Sequence, residues 1–425
     1  MSTTLAVLTV AGAAAAAAPV LPGPAFPAYA SASALVAACD SGLSEAKARV
    51  AALEKRRIDG HWLAAYDALN AYVEDGSGPL SLLENVHPDK PIRDAAQACG
   101  LRWADFGSTL GQNEVLYRAA RSLKPTSAID REFRKQLLEG FEDAGVALPA
   151  DKRARAKQVN DRIVDLGQQF DARIRDAGIK VAFAADELAG VADTVWKDKP
   201  RDDQGRYLLG LDYPTYLPVL ERADRAATRE RMWRAKQNEG GDANLKLLGE
   251  LGQLRREYAQ LFGLKSFAEF QLRRRMTESP AHTQAFLSSV KAAVTERETR
   301  DIDELRAAKA AQLGTPLAST RLDRWDISYY TERVRKQRYS IDQEAFRPYF
   351  PPQESLRFVM RIAEKMLGVR YTRIDNAPGL WHPDVQAYAI SDARSGKPLS
   401  TLYVDLYPRE GKYNHAAVWG IRGGS

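Results

Sequence analysis

Apolar residues recur at helical spacing over most of this chain. In "KQVNDRIVDLGQQFDARIRDAG" Val159, Ile163, Leu166, Phe170 and Ile174 follow one another at steps of three and four. That spacing puts them on one face of a helix, leaves the Asp and Arg positions on the other, and predicts an end near Gly178. "SALVAACDSGLSEAKARVAALEKR", "AIDREFRKQLLEGFEDAG" and "NLKLLGELGQLRREYAQLFG" carry the same period, the last stopped by Gly263. Val290, Val294, Ile302 and Leu305 mark a further long helix that ends before Gly314 and Pro316. Strand signals are few. "RYLLGLDYP" is a short apolar run that can pair with "IKVAF" near residue 180. "DVQAYAIS" and "LSTLYVDLY", rich in β-branched and aromatic residues, flank the polar, Gly-containing "DARSGKP" and predict a β-hairpin. The fold class is therefore mainly α-helical with a small sheet near the C-terminus, and no fixed-period repeat points to a solenoid.

Length and charge narrow the function classes. A chain of 425 residues with 45% hydrophobic content can bury a large core. Its 61 Lys and Arg against 55 Asp and Glu leave a net charge of only +6. A nucleic-acid partner would need those cations gathered on one face, and the densest run, Arg273, Arg274 and Arg275, sits in a helical pattern.

The first thirty residues differ in kind. They hold no charged side chain, and no Lys or Arg occurs before Lys47. An apolar run from Leu5 to Ala18, followed by Ala28, Tyr29 and Ala30, has the form of a signal peptide with an A-x-A cleavage site, although the basic n-region is missing. The expectation is a periplasmic or secreted product, with a cytoplasmic one as the alternative. "LVAAC", ending at Cys39, lies too far along and too deep in a helical pattern to serve as a lipoprotein box. No later segment has the roughly 18 consecutive apolar residues that span a bilayer. Cys39 and Cys99 both fall in Ala-rich helical stretches; export would permit a disulfide, but spacing leaves two buried free thiols as the default.

With five histidines, metal and nucleophile chemistry can be weighed residue by residue. His61 and His282 lie in helical stretches with no second His at the four-residue spacing that would put two imidazoles on one face. His87 and His382 each begin a His-Pro-Asp, where the proline imposes an extended or turn backbone. His382, Asp384, Asp405, Glu410 and His415 could furnish metal ligands only if the hairpin aimed them at one point. No G-x-S-x-G, phosphate loop or dinucleotide fingerprint is present, and "EGGDANLKLLG" reads as a glycine turn before a helix.

Four stretches in order do carry a specific signal: "RERMWRAKQNEGGDANLKLLGELGQLRREYAQLFGLKSFAEFQLRRRM", "RWDISYYTERVRKQRYSIDQEAFRPYFPP", "LWHPDVQAYAISD" and "LYVDLYPREGKYNHAA". From about Ala227 onward they resemble the thimet oligopeptidase and oligopeptidase A family of zinc metallopeptidases. The resemblance implies the N-terminal helical portion of a zincin-type oligopeptidase fold, with a channel that admits short peptides and excludes folded proteins. Together with the signal-peptide-like leader at 1–30, it divides the chain into an N-terminal helical region at 31–226 and an incomplete proximal part of the metallopeptidase domain at 227–425. It also implies zinc held by the two histidines of H-E-x-x-H and a later glutamate, with the motif's glutamate as proton acceptor. No His of this chain is followed by Glu. The zinc ligands are thus expected beyond Ser425, the partners are short peptides and a missing C-terminal catalytic half, and 1–425 alone is expected to be inactive. No catalytic, cofactor-binding or metal residue carries over. The alternatives are a non-enzymatic helical peptide-binding protein and, among enzymes, a dipeptidyl carboxypeptidase.

Overall fold

The computed structural model describes residues 26–340, 343–413 and 415–423. Most of the leader expected at 1–30 lies outside them. The described residues fall into two compact units, one within Tyr29–Gln343 and Pro408–Ser425, the other within Met1–Ala28 and Glu344–Tyr407.

The larger unit is helical almost throughout. It opens with α1 (Ala32–Glu54), α2 (Trp62–Val86), α3 (Lys90–Gly111), α4 (Glu114–Ser122), α5 (Ala128–Asp143) and α6 (Ala150–Asp176). A short strand β1 (Val181–Phe183), a single turn α7 (Asp193–Trp196) and β2 (Tyr207–Leu209) follow. Then come α8 (Tyr213–Arg222), α9 (Ala226–Gln237), α10 (Gly241–Leu261), α11 (Phe267–Leu272), α12 (Pro280–Leu313) and α13 (Ile327–Tyr339). Side-chain caps set several starts: Ser31 accepts from the Ala34 N–H at 3.2 Å, Asn113 from Val115 and Leu116 at 3.0 Å, and Ser279 from His282 at 3.2 Å. Each satisfies an N–H that has no partner inside the helix. Gly314, at φ 65°, ends α12 in the left-handed conformation that glycine adopts without cost.

Three packing centres hold this unit. Val159 and Leu166 of α6 are fully buried, and Leu247, Leu251 and Tyr258 of α10 pack against that stripe. β1 pairs antiparallel with β2, Val181 opposite Leu209, as the two apolar runs predict. Their residues Phe183, Tyr207 and Leu209 join Val219 and Met232 in a second cluster. The third centre is α1 with α3, where Cys39 and Cys99 form a disulfide with Cα atoms 6.1 Å apart. The default of two free thiols is therefore wrong, because neighbouring helices bring together residues 60 apart in sequence.

One buried charge network is fully partnered. Arg229 and Asp326 are both buried and lie 2.7 Å apart, Lys309 donates to the other carboxylate oxygen at 2.5 Å, and the Arg229 guanidinium lies 4.0 Å from the centre of the Tyr329 ring. Burial pushes the Asp326 carboxyl up, but the hydrogen bonds from Lys309 and Arg229 prevail and hold it below the usual range.

The smaller unit continues through α14 (Gln343–Phe346), α15 (Pro352–Leu367), β3 (Val369–Ile374), β4 (Gln386–Asp392) and β5 (Pro398–Val404). β4 and β5 are the predicted hairpin, with Tyr388 opposite Leu402 and a bulge at Ile390 and Ser391. Its turn is organised by Asp392, whose carboxylate accepts the backbone N–H groups of Ser395 at 2.6 Å and Arg394 at 3.1 Å. β3 adds a third antiparallel strand, giving the order β3, β4, β5. Among the described residues no helix is long and apolar enough to cross a membrane.

Candidate functional site

The two His-Pro-Asp segments fold alike. Asp89 donates its backbone N–H to His87 Nδ1 at 3.1 Å, and Asp384 donates to His382 Nδ1 at 3.2 Å. Proline keeps each chain from continuing as helix, and the imidazole nitrogen two residues back accepts the N–H that this exposes. A nitrogen used in this way is not turned toward a metal. Both segments therefore serve as turns, the first at the end of α2 and the second just before β4.

The other candidate ligands have their own partners. Asp405, at the end of β5, accepts the Trp381 indole N–H at 2.9 Å. Trp381 packs with Phe26 and Tyr403 at ring separations of 5.1 and 5.8 Å, so this carboxylate anchors an aromatic cluster beside the hairpin. In the larger unit His415 sits edge-on to Tyr213 at 4.5 Å, and its Nδ1 lies 2.7 Å from the Ala416 carbonyl. Glu410 belongs to the same unit. His61 precedes α2 without a side-chain cap bond, and His282 lies in the first turn of α12, its Nδ1 3.1 Å from the Thr277 carbonyl. Among the described residues no group of three or more His, Cys, Asp or Glu side chains is placed to hold a metal ion. The described side chains of these candidates are not arranged as a catalytic zinc site.

What the geometry does build is a docked segment after the hairpin. The last carbonyls of α2 lack helical partners. Arg409 donates to Val86 O at 2.5 Å, the Tyr413 N–H to Asn85 O at 2.8 Å, and buried Arg93 to His87 O and Pro88 O at 2.8 and 3.0 Å. The segment then follows α2 back toward its middle, where the Gly423 N–H meets the Glu74 carboxylate at 2.9 Å and Arg422 pairs with Asp75. Glu84 lies in the last turns of α2. Burial pushes its carboxyl up to about 7, against the pull of Arg175, while burial lowers His87 nearby. Periodicity alone gives no sign of this docking, since its partners are main-chain carbonyls that any sequence carries.

Comparison with known proteins shows what these elements are similar to. Residues 219–425 match the model of peptidase family M3, a span that begins inside α8 and takes in the sheet and the docked segment. Oligopeptidase A of Escherichia coli is 29% identical over 367 residues, covering 80% of this chain and 53% of that protein. A thimet-like oligopeptidase of Dictyostelium discoideum is 27% identical over 399 residues, 90% of this chain and 59% of its own length. A probable cytosolic oligopeptidase A of Arabidopsis thaliana is 26% identical over 393 residues, 86% and 55% respectively. The chain thus spans little more than half the length of these relatives. The family match runs through the helices and the sheet together, and these relatives align well upstream of it, so the chain is similar to peptidase family M3 over most of its length.

Proposed function

We propose that this chain forms the helical channel wall and the substrate-side sheet of a zinc-dependent oligopeptidase that hydrolyses short unfolded peptides. The observation that carries the reading is the position of β5 at the edge of the three-stranded antiparallel sheet inside the family-matched region. An extended peptide added to a sheet edge is held by main-chain hydrogen bonds, which tolerate many sequences but require an unfolded substrate. The chain's own part is binding and orientation. The zinc that would polarise the scissile carbonyl and activate water is held, in this proposal, by residues other than 1–425, since His87, His382 and Asp405 are engaged in turns and packing.

The proposed compartment is an oxidising one, periplasmic or secreted. Cys39 and Cys99 are 4% and 3% exposed and joined, and disulfides of this structural kind persist outside the reducing cytosol.

Purified 1–425 tests the reading directly. It is expected to bind a short extended peptide by calorimetry, to retain no stoichiometric zinc and to leave the peptide uncleaved. Turnover that tracks bound zinc would overturn the assignment of the metal, and failure to bind any unfolded peptide would overturn the role of the sheet.

A further inference from the structure

A pocket of about 270 Å³ opens where the end of α1 meets the start of α2 and the outer face of α4. Its floor is apolar: Leu53, Trp62, Leu116 and Ala119 are all at least nine-tenths buried. Its rim carries Glu54, Arg56 and Arg118. The three charges are not equally available. Glu54 is held by the side-chain amide of Asn113, which donates to it at 2.6 Å while its own oxygen caps α4. Arg118 has only a loose partner, Glu114 at 3.9 Å, and the Arg56 side chain has no ion pair or hydrogen bond among the described residues. The amide bond orients Glu54 but leaves its charge in place, so the rim sets two guanidinium groups against one carboxylate and is net positive, with donors whose planar fork matches a ligand carboxylate. An apolar floor beneath a small number of placed polar groups is the general form of a small-ligand site.

We infer that this pocket binds a small hydrophobic carboxylate, its apolar group on the Trp62 and Leu116 floor and its anionic end on Arg56 and Arg118. Such a ligand comes either as a free organic acid or as the C-terminal residue of a peptide with a large apolar side chain. The site lies in the larger unit, and the inference stands independently of the peptidase reading.

The probes are 3-phenylpropionate, its amide, and acetyl-Gly-Phe with a free or an amidated C-terminus, each titrated against the full 1–425 chain by ligand-observed NMR. Both acids are expected to bind at least tenfold more tightly than their amides. Binding of 3-phenylpropionate alone would assign the site to free acids, and binding of both acids would extend it to peptide C-termini. R56Q and R118Q should each weaken the acids severalfold. V115W and S122W, at exposed wall positions where bulk disturbs no core, should abolish binding with the helical circular dichroism unchanged. Amides that bind as well as acids, or tryptophan variants that bind as the unaltered chain does, would overturn the inference.

Discussion

A Cβ on Gly78 would stand inside the contact radius of the Ile421 carbonyl oxygen. Gly78 lies in the middle of α2, where glycine ordinarily costs helix stability, so its use there reflects the close approach of the docked segment. G78A is expected to destabilise the chain by about 1–3 kcal/mol, the usual cost of forcing extra volume into a packed contact. Gly249, inside α10 with nothing within 4 Å of its would-be Cβ, supplies the opposite case. G249A is expected to stabilise by about 0.5–1 kcal/mol. Urea melts of the two variants should therefore shift in opposite directions; shifts of the same sign would refute the close approach.

The Cys39–Cys99 bridge closes a loop of 60 residues. On the chain-entropy account, removing it restores conformational freedom to the unfolded state and costs about 4 kcal/mol, whatever the contacts in the folded one. The double variant C39S/C99S should melt well below the oxidised protein, and reduced unaltered protein should melt close to the variant. If reduction leaves the melting curve where it was, the bridge contributes nothing to stability.

These two features show where sequence reading stops. The buried stripe of α6, the pairing of β1 with β2 and the hairpin were all legible, because each rests on a local period or a local turn signal. β3 was not: "VRYTRI" is short and polar, and it becomes a strand only because β4 is beside it. Asp75-Gly-Ser-Gly-Pro79 has the composition of a turn yet lies inside α2, where Gly76 makes room for the Trp103 ring and Gly78 for Ile421. The disulfide depended on which helices are neighbours. At the candidate site, the proline turns of His87 and His382 were readable, while the Trp381–Asp405 bond and the docking of Arg409 and Tyr413 on α2 arise from long-range contacts.

α15 presents Phe358, Val359, Ile362 and Met366 at 56, 61, 42 and 76% exposure, spaced to lie along one face. An apolar stripe of that size on an isolated chain seeks cover. Purified 1–425 is expected to self-associate with rising concentration, and F358K/M366K, altering only exposed positions, should shift it toward monomer. Light scattering decides the matter: a stable monomer of the unaltered chain at high concentration would contradict the expectation.

Glu84 makes the pH dependence specific. Burial raises its carboxyl from 4.5 to about 7 in the folded protein. Between those values the folded chain holds a proton that the unfolded chain has released, so this contribution to stability is present below about pH 4.5 and is lost as pH rises through about 7. At roughly 1.4 kcal/mol for each unit, the loss is on the order of 3 kcal/mol. E84Q stays neutral throughout and should match the unaltered protein near pH 4, then exceed it increasingly up to pH 8. His87, lowered by burial, contributes in the opposite sense below its ordinary value and is common to both proteins, so it cancels in the difference. Denaturant melts of the pair across this range give the difference curve, and a flat curve would mean that Glu84 is ionised in the folded state at neutral pH.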